Sequence, residues 1–184
     1  MLPALLWSFG VPLAAQDSTR PASAEQALME SAYLGNLEEV KRLVSAGAVV
    51  DAADPEKRTS LMWAAFNGHT AVVGYLLEKD AKIDAKDASG RTALMYASSG
   101  PFAETVELLL KKGAEVNVQG TLEGFTALMT AAAEGQLKVV RLLLEYGADP
   151  SLEDEDGDTA ESFAREKGHS AVVELLENPP RASN

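Results

Sequence analysis

Few residues of this chain could carry acid–base, nucleophilic or metal chemistry. It has two histidines, His69 and His169, and no cysteine. Without cysteine there is no disulfide, no thiolate nucleophile and no thiolate metal ligand. Two histidines so far apart in sequence do not make a zinc centre of the usual kind. The densest charge run is Glu153-Asp154-Glu155-Asp156-Gly157-Asp158. A calcium loop with its sixth-position glycine at Gly157 would need acids at Leu152 and Phe163, which are apolar. The run therefore reads as a solvated acidic turn, with weak adventitious cation binding as the alternative. No serine lies in G-x-S-x-G or S-x-x-K, and no phosphate-cradling glycine motif occurs. The expectation is a chain with no catalytic residue, no cofactor and no metal site, and hence not an enzyme.

Charge and composition narrow the partners. The formal net charge is −12 over 184 residues. Such a chain repels nucleic acid, whose binding depends on Lys and Arg displacing counterions. The charge serves solubility, or steers in a basic protein partner. An apolar share of 46% is enough for a core, while aromatics make up only 6%.

Residues 1–15 (MLPALLWSFGVPLAA) carry no charge. A run of that length is too short to span a bilayer as a helix. It fits the apolar region of a signal peptide cleaved near Ala15, which implies a periplasmic or secreted protein. No Lys or Arg precedes the run, a departure from the signal pattern that leaves an upstream start open. The alternative is an uncleaved apolar segment packed on the domain. Residues 16–22 read as a linker and 179–184 as a frayed tail.

The interval between them is periodic. Thr59, Thr92, Thr126 and Thr159 recur at spacings of 33, 34 and 33. Leu61-Met62, Leu94-Met95 and Leu128-Met129 follow in register, as do the later pairs Leu76-Leu77, Leu109-Leu110 and Leu143-Leu144. Units close on Ala46-Gly47-Ala48, Lys112-Gly113-Ala114 and Tyr146-Gly147-Ala148. Each unit carries two apolar stripes at helical spacing, which a lone pair of short helices cannot bury, so neighbours must stack. Threonine suits the N-cap of each first helix, and glycine the end of each second helix. Small residues, Ala64-Ala65, Ala97-Ser98 and Ala131-Ala132, mark close helix contacts.

These landmarks resemble ankyrin repeats. Gly90-Arg91-Thr92-Ala93-Leu94, Gly124-Phe125-Thr126-Ala127-Leu128 and Gly113-Ala114-Glu115-Val116-Asn117 carry the likeness, which extends over about 85% of the chain. It implies an all-α ankyrin-repeat solenoid of stacked helix-turn-helix units with β-turn fingers. Five units are expected, at about 22–53, 54–86, 87–120, 121–153 and 154–178, within a domain at 23–178. His69 and His169 stand at a habitual histidine position of the pattern, which implies a structural role. The chain departs from the family's Thr-Pro-Leu-His, reading Thr-Ser-Leu-Met and Thr-Ala-Leu-Met; a buried methionine row is expected instead. Asp80 replaces a closing glycine, Pro101 interrupts the third inter-helix turn, and one extra residue lies near 119–123. Glu30 and Glu161 replace apolar residues of the middle units, as terminal caps would.

The resemblance also implies a protein partner on the concave face and a monomer. The position after the small-residue pair faces that concavity, giving Tyr33, Phe66, Ser99, Ala133 and Glu166; the next gives Leu34, Asn67, Gly100, Glu134 and Lys167. Finger tips offer Arg58, Arg91 and Phe125. Tyr33, Phe66, Asn67, Arg58, Arg91, Phe125 and Glu134 are the expected partner contacts, with Tyr33 and Phe66 an exposed aromatic pair about 10 Å apart. Alternatively, the two rings pack against neighbouring fingers. Trp63 is expected in the core. The expected function is non-enzymatic: an adaptor or a protective inhibitor of an exported partner. The alternatives are a secreted effector engaging a host protein, or a cytoplasmic adaptor.

Overall fold

The computed structural model describes residues 23–179. The expected signal peptide, the linker and residues 180–184 of the tail lie outside the described residues. Ten helices form in order: α1 (Ala24–Tyr33), α2 (Leu37–Ser45), α3 (Ser60–Phe66), α4 (Thr70–Glu78), α5 (Ala93–Ser98), α6 (Ala103–Lys111), α7 (Ala127–Ala133), α8 (Leu137–Glu145), α9 (Ala160–Glu166) and α10 (Ser170–Glu177). They pair as helix-turn-helix units. The odd-numbered helices stack side by side in one row and the even-numbered helices in a second.

Local chemistry sets each first helix. Thr59, Thr92, Thr126 and Thr159 are extended N-caps whose hydroxyls accept the N–H of Met62, Met95, Met129 and Ser162. An N-cap of this kind contributes about 1 kcal/mol, which matters in helices of six to ten residues. Met62 and Met129 do more than fill space. Their sulfurs accept the backbone N–H of Thr59 and Thr126, both at 3.4 Å, completing reciprocal caps. Ala64, Ala65, Ala97, Ser98, Ala131, Ala132 and Ala164 are wholly buried, so the first helices meet with little side chain between them.

The expected β-turn fingers are not formed. Among the described residues there is no strand, and the only bridge is an isolated antiparallel one between Ala53 and Thr59. The inter-repeat loops satisfy their backbone by other means. The Asp54 carboxylate accepts the Arg58 N–H at 2.8 Å, while the Asp54 N–H donates to the Arg58 carbonyl at 3.0 Å. Asp87 and Asp154 hold their loops in the same way. Successive loops are joined by single rungs: Ala88 N–H to the Glu56 carbonyl, Thr121 N–H to that of Ser89, and Glu155 N–H to that of Glu123. One rung per loop pair is no ladder.

Turn glycines carry positive φ where the chain must reverse. Asp80, in place of a glycine, adopts φ 63° itself, a conformation aspartate tolerates better than most residues. Gly90 has the tighter seat. A Cβ there would lie 2.4 Å from the Thr121 backbone nitrogen, whereas a Cβ on Gly47, also at positive φ, would meet nothing within 4 Å. Both positions share the left-handed strain of about 1–2 kcal/mol for an L side chain. Gly90→Ala is therefore expected to lower the denaturation midpoint clearly more than Gly47→Ala, in urea melts of the two variants side by side.

Candidate protein-binding surface

The loops and first helices form one face, and its chemistry is built around the residue five after each loop end. Trp63, Tyr96 and Phe163 occupy that place in the second, third and fifth units, and Thr130 in the fourth. Trp63 and Tyr96 are each 1% exposed. Arg58 and Arg91 reach from the loops over these rings, 4.5 Å and 5.0 Å from their centroids. Such cation–π contacts hold a guanidinium flat on a ring. The same arginines are held by acids. Arg58 Nε donates to Asp54 at 2.7 Å and its Nη2 to Glu56 at 2.9 Å. Arg91 Nε donates to Asp87 Oδ2 at 2.8 Å.

Asp87 is the centre of the densest polar knot. Its side chain is 1% exposed. Besides Arg91 Nε it accepts the Ser89 and Arg91 N–H groups and the Tyr96 hydroxyl, each at 2.8 Å. A buried carboxylate needs such a set of donors. Burial pushes the Tyr96 phenol well above the ordinary tyrosine range, and the carboxylate it donates to raises it further, against a lowering by Arg91.

Four rings form a row along this face. Tyr33 meets Trp63 at 5.6 Å, Trp63 meets Phe66 at 6.4 Å, and Phe66 meets Tyr96 at 6.2 Å, all edge to face. Tyr33 and Phe66 are thus half-buried, with Trp63 between them, and not an isolated exposed pair. Asn67 is engaged as well, its amide donating to the Tyr33 carbonyl at 2.7 Å. Phe125 is buried more deeply than an exposed finger tip would be. It is only 9% exposed and lies 5.0 Å from Phe163 of the next unit. Its own helix offers Thr130 where Arg58 and Arg91 find rings, so it turns to the neighbouring ring. Leu122 occupies the exposed tip of that loop, at 62%. Glu134 is exposed at the end of α7.

The structure brings Tyr33, Phe66, Asn67, Arg58 and Arg91 together, and leaves Phe125 and Glu134 in the C-terminal half. Leu34, which the spacing placed on this face without counting it among the expected contacts, is the C-cap of α1 and is 64% exposed beside Tyr33. Sequence reasoning passed over Asp87. The repeated Asp-x-x-x-Arg of Asp54/Arg58 and Asp87/Arg91, followed five residues later by a ring, is a signal that would have found the arginine clamps.

A family model described as ankyrin repeats (3 copies) matches residues 4–87, 28–120, 82–154 and 118–182. The chain belongs to the ankyrin-repeat family. No curated protein matches it. Ankyrin repeats generally mediate protein–protein interactions, through the concave face. Among the described residues of this ankyrin chain no group of three or more acids or histidines could hold a metal ion, and no helix is long and apolar enough to cross a membrane. A non-enzymatic role is consistent with this architecture.

The Tyr96 knot gives the ankyrin array an alkaline limit. The folded phenol keeps its proton to higher pH than the unfolded one. Its contribution is complete below the unfolded value of about 10, and is lost as pH rises above it, because the unfolded chain then binds fewer protons. Tyr96→Phe removes that loss. Urea melts at about pH 8 and about pH 11 are expected to show the wild type falling towards the variant, by up to ~1.4 kcal/mol per pH unit.

Proposed function

We propose that this ankyrin array is a non-catalytic binder of one protein partner, an adaptor or a protective inhibitor, working in the periplasm or outside the cell. The observation that carries the reading is the ring row on the concave side of the N-terminal half. Tyr33 and Phe66 are half-buried, Leu34 stands out beside them, and the buried Trp63 and Tyr96 pack against them. Aromatic side chains held in place from behind lose little entropy on binding, which is the common property of hot spots.

The arginines enter this reading in a changed role. Arg58 and Arg91 are neutralised by Asp54, Glu56 and Asp87. They stiffen the surface more than they recognise an acidic partner. The partner's contact at this end is accordingly apolar. Export rests on the uncharged apolar run ending at Leu13-Ala14-Ala15.

Two experiments test the proposal. Leu34→Asp places a charge on the apolar rim without touching the core. It is expected to leave stability within about 0.5 kcal/mol, as surface changes do, and to weaken a partner captured by the wild type from the native cell envelope by more than about tenfold, or ~1.4 kcal/mol. Full-strength binding by a folded variant would move the docking surface elsewhere. Intact mass of the protein from its native cell is expected to begin near Gln16; retention of Met1 through Ala15 on the soluble protein would end the export reading.

A further inference from the structure

Three kinds of fastener recur at the junctions between successive helix pairs among the described residues; only the second junction carries all three, and the third alone lacks the one at the inter-helix turns. Along the loops, single backbone rungs join units two to three, three to four and four to five. Along the outer turns, Asp51 accepts the Lys82 N–H at 2.9 Å and Asp84 accepts the Glu115 N–H at 3.1 Å. There too Asn117 accepts the Asp149 N–H at 2.9 Å and donates to the Gly147 carbonyl at 3.1 Å. At the inter-helix turns the pattern breaks. His69 Nε2 bonds the Tyr33 carbonyl at 3.0 Å, with its ring against Gly35. Phe102 lies against Gly68, and the Thr70 and Thr105 hydroxyls meet at 2.7 Å. His169 Nε2 bonds the Ala133 carbonyl at 3.0 Å, with its ring against Gly135. Between α5/α6 and α7/α8 no hydrogen bond joins the inter-helix turns among the described residues.

The cause is local. Pro101 stands where Gly35, Gly68 and Gly135 turn at φ 72°, 68° and 67°. Proline holds φ near −65° and cannot make that turn, and it disfavours helix in the residue before it. α5 is accordingly the shortest of the ten described helices. Gln136 stands where His69, Phe102 and His169 reach back. At the ring position the fourth unit carries Thr130 in place of Trp63 and Tyr96.

We propose that the array is two stiff blocks, α1–α6 and α7–α10, joined by a hinge that opens at the Pro101 and Gln136 turns. The loop rung at Thr121 and the outer-turn bonds of Asn117 stay closed and form its axis. Opening changes the angle between the aromatic half of the concave face, with Tyr33 and Phe66, and the half bearing Glu134 and Glu166. The array can thereby close its two halves on a partner, as hinged pairs of rigid bodies do.

The absence of native cysteine makes spin labelling direct. Ala71, Lys138, Glu38 and Glu104 are exposed at the equivalent second position of α4, α8, α2 and α6. Labels on Ala71→Cys with Lys138→Cys span two repeats across the hinge; labels on Glu38→Cys with Glu104→Cys span two repeats within one block. The distance distribution across the hinge is expected to be the broader one. Pro101→Gly with Gln136→His restores the glycine turn and the reaching imidazole, and is expected to narrow it to the within-block width. Equal widths in the two pairs of the otherwise unaltered protein would overturn the proposal without recourse to the repaired variant. A broad distribution that the folded, repaired variant leaves unchanged would overturn it as well.

Discussion

The structure depends on the inability of a short helix pair to bury its own apolar surface. Helices of six to ten residues are marginal in water by themselves. Each pair exposes two stripes until a neighbour covers one of them on either side. Stacking is therefore both the tertiary structure and the condition for the secondary structure. Register follows from it. The Thr caps, the Leu-Met pairs and the small residues must recur together, because each first helix approaches the next at Ala64-Ala65, Ala97-Ser98 and Ala131-Ala132 with no side chain large enough to absorb a slip.

Within that constraint, the units differ in what joins them. His69, Phe102 and His169 occupy one place in three units and use different chemistry there: two imidazoles bonding a carbonyl, and one ring packing on glycine. The loops differ likewise. Arg58 and Arg91 lie over rings of their own units, and Phe125 over a ring of the next. The effect is a gradient. The first three units are welded by Tyr33, Trp63, Phe66 and Tyr96, and the last two by the Phe125 and Phe163 contact.

The same welding shapes what the concave face can offer. A guanidinium held by a carboxylate and a ring has little left for a partner, whereas a half-buried ring packed against other rings has less freedom to lose on being touched. On the proposed reading, recognition at the N-terminal half is a matter of shape and apolar area, while exposed acids such as Glu134 and Glu166 lie in the other half.

The helix pairs, their order, their Thr caps and their small-residue seam were legible in the sequence, because each is a local preference repeated at a constant interval. Trp63 was legible as core for the same reason. The roles of Arg58, Arg91 and Phe125 were not, because one loop position serves different ends according to the residue five places on and the ring in the next unit. Tyr33 and Phe66 could be placed on a face from spacing alone. How far they stand out from it was decided by Trp63 between them. Strand character in the loops was expected from the resemblance and did not arise, since the side chains of Asp54, Asp87 and Asp154 satisfy the backbone that a ladder would have used. Periodicity determines which residues share a row; contacts between rows, which have no period, are decided only when the units stack.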